Sequence, residues 1–263
     1  MTHDAGIAIE HVSKRFGDGR PVLAGVSLSV AKGEMLAVVG ASGSGKTTLL
    51  RMINRLDDPS SGTVRIGGVD VASVDPVALR RRIGYVFQEV GLFPHMTVAE
   101  NIAIMPRLLG WDSARATARV DELLGLVRLD LSYRSRLPRQ LSGGERQRVG
   151  VARALAPGPE MVLMDEPFAA LDPLTREALG RDYRTLHDKL GLTTLMITHD
   201  MIEALELADR IAVLRGGTVV AQGPPAVLID HEHPYVKELM QLPRKLAERV
   251  ESLLAAQGKS GGR

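Results

Sequence analysis

Gly40-Ala41-Ser42-Gly43-Ser44-Gly45-Lys46-Thr47 fits the phosphate-loop pattern G-x-x-x-x-G-K-[ST]. The apolar run Met35-Leu36-Ala37-Val38-Val39 before it reads as a buried strand, and Leu49, Leu50 and Ile53 after it recur at helical spacing. The glycines therefore sit at a strand-to-helix turn. There they let consecutive backbone N–H groups converge on a phosphate, and the helix start adds unpaired donors and the positive end of its dipole. Lys46 is expected to reach the β- and γ-phosphates, and the Thr47 hydroxyl to hold Mg²⁺. This order of strand, loop and helix predicts an α/β core that binds a nucleoside triphosphate.

Composition narrows the class. The 263 residues are 44% hydrophobic and 24% charged, the balance of a soluble globular protein. No apolar run approaches the roughly 18 residues that span a bilayer. Met1-Thr2-His3-Asp4 lacks the basic-then-apolar design of a signal peptide, so a cytoplasmic protein is expected. Zero cysteines exclude disulfides and thiolate metal sites. A net charge of +2 and 3% aromatics supply neither the basic excess nor the stacking platforms of a dedicated nucleic-acid binder, and no nucleic-acid partner is expected.

Outward from the loop, residues 7–30 alternate apolar and polar, predicting strands joined by a turn at Gly17-Asp18-Gly19. Phe16 beside that turn either stacks on an adenine ring or plugs the small sheet. A short hairpin is predicted near Thr63–Ile66, and a strand from Ile83 ending at Gln88. From Glu89 to Ser142 the strand signals stop, and Thr97 with Glu100 forms a capping box that predicts a helix in an all-helical insert. Ser142 and Glu145 form another box ahead of the helix from Arg146 to Leu155. Gly143-Gly144 is a poor first turn on propensity, and exposes backbone N–H groups to an anion instead.

Met161-Val162-Leu163-Met164 predicts another buried strand, ending in Asp165-Glu166. Neighbouring side chains of an extended chain point opposite ways, so the two acids divide the work: Asp165 supports Mg²⁺ near Thr47, and Glu166 polarises a water in line with the γ-phosphate. The buried strand Thr193–Ile197 leads to His199, which is able to hydrogen-bond a γ-phosphate or the attacking water. Gln88, Asp165, Glu166 and His199 all follow strands, on the edge where open α/β sheets bind ligands. Gly216-Gly217 marks a closing hairpin. His231 and His233 read as a solvated loop rather than as metal ligands, since no third ligand lies nearby. In the tail, Leu242, Leu246, Val250 and Leu254 predict one apolar helix stripe that packs on its own domain, and Lys259 to Arg263 are expected to be disordered.

Taken together, the phosphate loop, Gln88, Leu141-Ser142-Gly143-Gly144-Glu145, Val162-Leu163-Met164-Asp165-Glu166, Ala170-Leu171-Asp172 and His199 make the chain resemble the ATP-binding subunits of ABC transporters over nearly its whole length. The resemblance implies a P-loop (RecA-like) α/β core with an antiparallel β subdomain and an inserted α-helical subdomain at about 89–157. It implies a nucleotide-binding domain over 1–223 and a C-terminal helical tail over 224–263. ATP and Mg²⁺ are the implied cofactors. Glu166, His199, Lys46 and Gln88 are the implied catalytic residues, and Thr47, Gln88 and Asp165 the implied metal-site residues. Phe16, Gly40, Ser42, Gly43, Ser44, Gly45, Lys46, Thr47, Thr48 and Asp172 are implied to contact the nucleotide. Ser142, Gly143 and Gly144 are implied to complete the site of a second copy, in a head-to-tail homodimer.

Phe93-Pro94-His95 matches the region that receives the coupling helix of transmembrane permease subunits, which places the chain peripherally on the cytoplasmic face of the membrane, with a substrate-binding protein as an indirect partner. The stretch from Leu79 to Ile102 and Arg107-Leu108-Leu109-Gly110-Trp111 look most similar to importers of osmoprotectants such as glycine betaine, choline or carnitine. Glu145 stands where glutamine is commoner, and the sequence ends before the paired regulatory modules found in many osmoprotectant ATPases, so sensing of ionic strength by that route is not expected. An importer for another solute, an ABC ATPase acting on DNA or ribosomes, and a small-molecule kinase are the competing readings. The last would not need Ser142-Gly143-Gly144, and the chain has no sustained heptads of the kind the second usually carries.

Overall fold

The computed structural model describes residues 5–243, 245, 248 and 249. The chain runs β1 (Ala5–Lys14), β2 (Leu23–Ala31), β3 (Met35–Val39), α1 (Lys46–Ile53), β4 (Ser61–Ile66), β5 (Val69–Asp70), α2 (Pro76–Arg82) and β6 (Ile83–Val86). It continues through α3 (Val98–Leu108), α4 (Ser113–Leu126), α5 (Gly143–Leu155), β7 (Met161–Asp165), α6 (Pro173–Leu190), β8 (Thr193–Thr198), α7 (Met201–Leu207), β9 (Arg210–Arg215) and β10 (Thr218–Gly223). Helical residues 234–243 follow.

Two sheets divide the strands. The smaller is antiparallel in the order β2-β1-β4-β5, and the larger runs β10-β9-β3-β8-β7-β6. In the larger sheet β9, β3, β8, β7 and β6 are mutually parallel, and only β10 is antiparallel. Every residue of β3 and β8 is buried, as expected for strands covered on both faces, whereas β2 alternates buried and exposed. One apolar layer lies between the large sheet and the helices, with Phe168, Ile102 and Leu123 fully buried. A second joins the opposite face of that sheet to α1 and the small sheet through Leu49, Ile53, Ile7 and Ile9.

Between β6 and β7 the chain is helical. Thr97 and Ser142 form the expected capping boxes with Glu100 and Glu145 at the starts of α3 and α5. β6 stops at Val86 rather than at Gln88, because its partner β7 turns away at Glu166, whose φ of 44° ends the ladder. The tail also differs from expectation. Its packed face is Tyr235, Val236, Leu239 and Met240, while Leu242 is exposed. Leu246, Val250, Leu254 and residues 259–263 lie outside the described residues.

Candidate ATP site

Register sets the site. Val39 of β3 pairs with Thr198 of β8, and Asp165 of β7 pairs with Ile197 of β8, so the residues that follow these strands emerge along one edge. Gly40, Glu166 and His199 are those residues. The loop at this edge is close-fitting. A Cβ on Gly40 would lie 2.1 Å from the carbonyl oxygen of Leu214, and one on Gly45 would lie 2.6 Å from Cδ2 of Leu23. Gly45 also holds φ at 102°, where a side chain is strained, and as a glycine cap it offers no side chain to the first-turn N–H groups of α1.

Lys46 lies inside this loop. Its ammonium donates to the carbonyl oxygens of Gly40 at 2.8 Å and Ala41 at 3.1 Å. Burial lowers its pKa, opposed by the nearby carboxylates of Glu166 and Asp165. The hydroxyl of Ser44 is buried without a hydrogen-bond partner. An orphaned donor beside a buried cation, ringed by backbone N–H groups, is a cradle suited to an anion.

The two acids face different partners, and it is the turn of the backbone at Glu166, with φ at 44°, rather than strand alternation that separates them. Thr47 donates its hydroxyl to Asp165 at 3.4 Å. Burial and then the charge of Glu166 raise the pKa of Asp165, while its hydrogen bond from Thr47, the charge of Lys46 and the hydroxyl of Tyr85 hold it down. Tyr85 escaped the sequence reading, since a tyrosine inside an apolar strand ordinarily signals packing. Glu166 turns the other way, and its Oε2 lies 3.0 Å from Nδ1 of His199. Positive φ at a non-glycine residue costs about 1–3 kcal/mol and clusters at functional sites, and here it aims the carboxylate. Glu203, hydrogen-bonded to Thr198 beside His199 in sequence, was also missed. Its carboxyl accepts from the buried Thr198 hydroxyl, and burial raises its pKa to about 7.

Other predicted residues stand apart. Gln88 is exposed two residues past β6, and no hydrogen bond ties it to Thr47 or Asp165 among the described residues. Phe16 is half-exposed, with the Lys14 ammonium 4.9 Å above its ring. Ser42 and Thr48 lie on the loop and the first turn of α1. The Asp172 carboxylate caps α6 by accepting from the Thr175 N–H at 3.1 Å. Ser142, Gly143 and Gly144 open α5, and among the described residues no hydrogen bond joins them to the phosphate loop.

The two glycines differ. A Cβ on Gly144 would meet Cγ2 of Thr175 at 2.7 Å, so packing alone demands glycine there. A Cβ on Gly143 would meet nothing closer than 3.6 Å. Nothing within one chain requires Gly143, although glycine costs a helix up to about 1 kcal/mol relative to alanine. Among the described residues no cluster of three or more His, Asp or Glu gathers to hold a metal. His231 and His233 instead accept backbone N–H groups through Nδ1, from His233 at 3.1 Å and from Tyr235 at 3.2 Å. No helix among the described residues is long and apolar enough to cross a membrane.

A phosphate loop on a parallel sheet, with a strand-end acid beside its threonine and a second acid beside a histidine, defines a nucleotide-hydrolysing P-loop protein. The chain belongs to the ABC transporter family, whose model matches residues 23–169, and it is an ATP-binding ATPase of that family. It is 45% identical over 254 residues to the glycine betaine/carnitine/choline transport ATP-binding protein OpuCA of Bacillus subtilis (strain 168), covering 94% of this chain and 67% of that one. It is 48% identical over 228 residues to the osmoprotectant import ATP-binding protein OsmV of Salmonella typhimurium, covering 85% of this chain and 60% of that one. It is 50% identical over 228 residues to the sulfate/thiosulfate import ATP-binding protein CysA of Caulobacter vibrioides, covering 85% of this chain and 66% of that one. The chain thus spans about two thirds of the length of these relatives. Among solved structures it resembles the ATP-binding cassette MJ0796 in a dimeric post-hydrolysis state bound to ADP and Pi, with a TM-score of 0.74, 34% identity, and coverage of 83% of this chain and 98% of that one.

Proposed function

We propose that the chain is the energy-coupling ATPase of an ABC importer for quaternary-amine osmoprotectants, acting as a head-to-tail homodimer beneath separate permease subunits. The observation that carries the dimer is Gly143: an exposed, helix-opening glycine whose added Cβ would meet nothing closer than 3.6 Å and which makes no hydrogen bond to its own phosphate loop among the described residues. It suits the close approach of a second copy's ATP, with Ser142 and Gly144 beside it. The dimeric, nucleotide-bound state of the similar MJ0796 cassette supports a dimer.

In this reading the loop N–H groups, Ser44 and Lys46 bind the β- and γ-phosphates, Thr48 and Asp172 add contacts, and Phe16 stacks on the adenine. Thr47 and Asp165 offer the hard oxygen ligands that would suit Mg²⁺, and the exposed Gln88 would offer a third. The ion supplies charge neutralisation at the phosphates. Glu166 accepts a proton from the attacking water, and His199, held by that carboxylate, stabilises the γ-phosphate.

Coupling to the membrane has a physical route. Arg153 of α5 donates to the carbonyl of Gly91 at 2.7 Å, and a Cβ on Gly150 would lie 2.5 Å from Val90, so the segment after Gln88 is pinned to the helix that Gly143 opens. The buried Asn101 holds Phe93 through its N–H at 2.8 Å and its carbonyl at 3.2 Å, which fixes the loop Phe93–His95 that we assign to the permease. OpuCA and OsmV support the osmoprotectant, with a substrate-binding protein delivering it; the identity to CysA favours an inorganic anion as the second reading. Deleting the gene should abolish uptake of labelled glycine betaine and spare sulfate uptake. The reverse result would move the assignment to the anion.

A further inference from the structure

Ala41 occupies a position in the phosphate loop where two constraints meet. Its carbonyl oxygen accepts from the Lys46 ammonium at 3.1 Å and from the Ser44 N–H at 3.2 Å. Its own N–H donates to the hydroxyl of Tyr235, 194 residues further along, at 3.1 Å. One peptide-linked residue therefore joins the tail to the catalytic lysine.

Tyr235 is held firmly enough to act on that residue. Its N–H donates to His233 Nδ1, and His233 in turn donates to His231 Nδ1. The Arg215 guanidinium, at the end of β9, lies 4.7 Å over its ring. Behind it, Val236 and Met240 are buried against the large sheet's helical layer. The same β9–β10 turn reaches the loop again, where the Gly217 N–H donates to the Ser44 carbonyl at 3.2 Å.

We propose that Tyr235 is a positioning residue for ATP: its hydroxyl fixes the Ala41 peptide, and with it the loop conformation from which Lys46 meets the phosphates. A loop carrying Gly43 and Gly45 at φ of 75° and 102° samples many conformations unless it is held at its entry. The hydroxyl reduces that freedom before ATP arrives, and preorganisation appears as affinity. A ring that merely packs would leave the hydroxyl dispensable. The inference rests on the ATPase reading, which loss of ATP binding in Lys46→Ala checks separately.

The test uses the full chain and its ATP-concentration dependence of hydrolysis. Tyr235→Phe keeps the ring, the Arg215 contact and the packing, and deletes only the hydroxyl. The KM and Kd for ATP should rise about two- to tenfold, the worth of one hydrogen bond, with kcat within about twofold. Ala41→Pro deletes the partner N–H, and adding Tyr235→Phe to it should change KM no further. Amide exchange of residues 40–45 in the nucleotide-free protein should quicken in Tyr235→Phe, a readout that holds even where Ala41→Pro fails to fold. A Tyr235→Phe variant with unchanged KM and unchanged exchange would overturn the proposal, as would one that lowers only Tm.

Discussion

Oε2 of Glu166 and Nδ1 of His199 lie 3.0 Å apart, joining the residues that follow β7 and β8. The pair is aimed from the backbone, since Glu166 holds φ at 44° while its N–H donates to the Ile197 carbonyl at 2.9 Å. Glu166→Gln preserves shape and removes the proton acceptor, so turnover should fall by about 10²- to 10⁴-fold with ATP binding retained, as measured by phosphate release and equilibrium binding. Wild-type turnover in that variant would end the assignment.

Lys46 lies buried among carbonyls of its own loop, and its flexible ammonium can follow a phosphate placed there. Lys46→Ala should abolish turnover and weaken ATP binding by at least about tenfold, read by titration with a fluorescent nucleotide. Normal ATP affinity in the variant would exclude the loop as the phosphate site.

The two glycines of α5 separate stability from activity. Gly144→Ala drives a methyl group onto Thr175 and should lower Tm. Gly143→Ala should leave Tm unchanged or raise it, by up to about 1 kcal/mol of helix propensity, while reducing ATPase activity. Thermal unfolding beside phosphate release distinguishes them. A Gly143→Ala protein as active as wild type would remove the reason given for that glycine.

Glu203 makes stability depend on pH. Burial raises its pKa from 4.5 to about 7, so between these values the folded chain binds more protons than the unfolded one. Stability contributed by the neutral acid is therefore present at low pH and falls as pH rises through this window, by on the order of 3 kcal/mol. Glu203→Gln should flatten that slope in denaturant titrations at pH 5 and 8. An unchanged slope would place the titration elsewhere.

The parallel core was legible because β3, β7 and β8 are apolar runs closed by polar residues, and the site because its chemistry sits at those closures. The capping boxes at Thr97 and Ser142 were legible for the same local reason. What escaped depends on long-range contact. The division between Gly143 and Gly144 appears only once α6 brings Thr175 against α5. Tyr85 beside Asp165 and Tyr235 on Ala41 join residues far apart in sequence, and no periodicity announces either pairing. In the tail, Leu242 is exposed because it lies two residues, about 200° of helical rotation, past the packed Met240.

The central claim is that each ATP site is built from two copies of the chain, and mixing two inactive variants tests it directly. Lys46→Ala removes the phosphate loop's cation, and Gly143→Asp places a carboxylate where the partner's ATP would approach. Each should be inactive alone. A mixed dimer holds one intact site, formed by the loop of the second variant and the α5 start of the first, so ATP hydrolysis should reappear when the two are combined at equal concentration. A mixture as inactive as its components, under conditions where the chains exchange partners, would contradict the shared site.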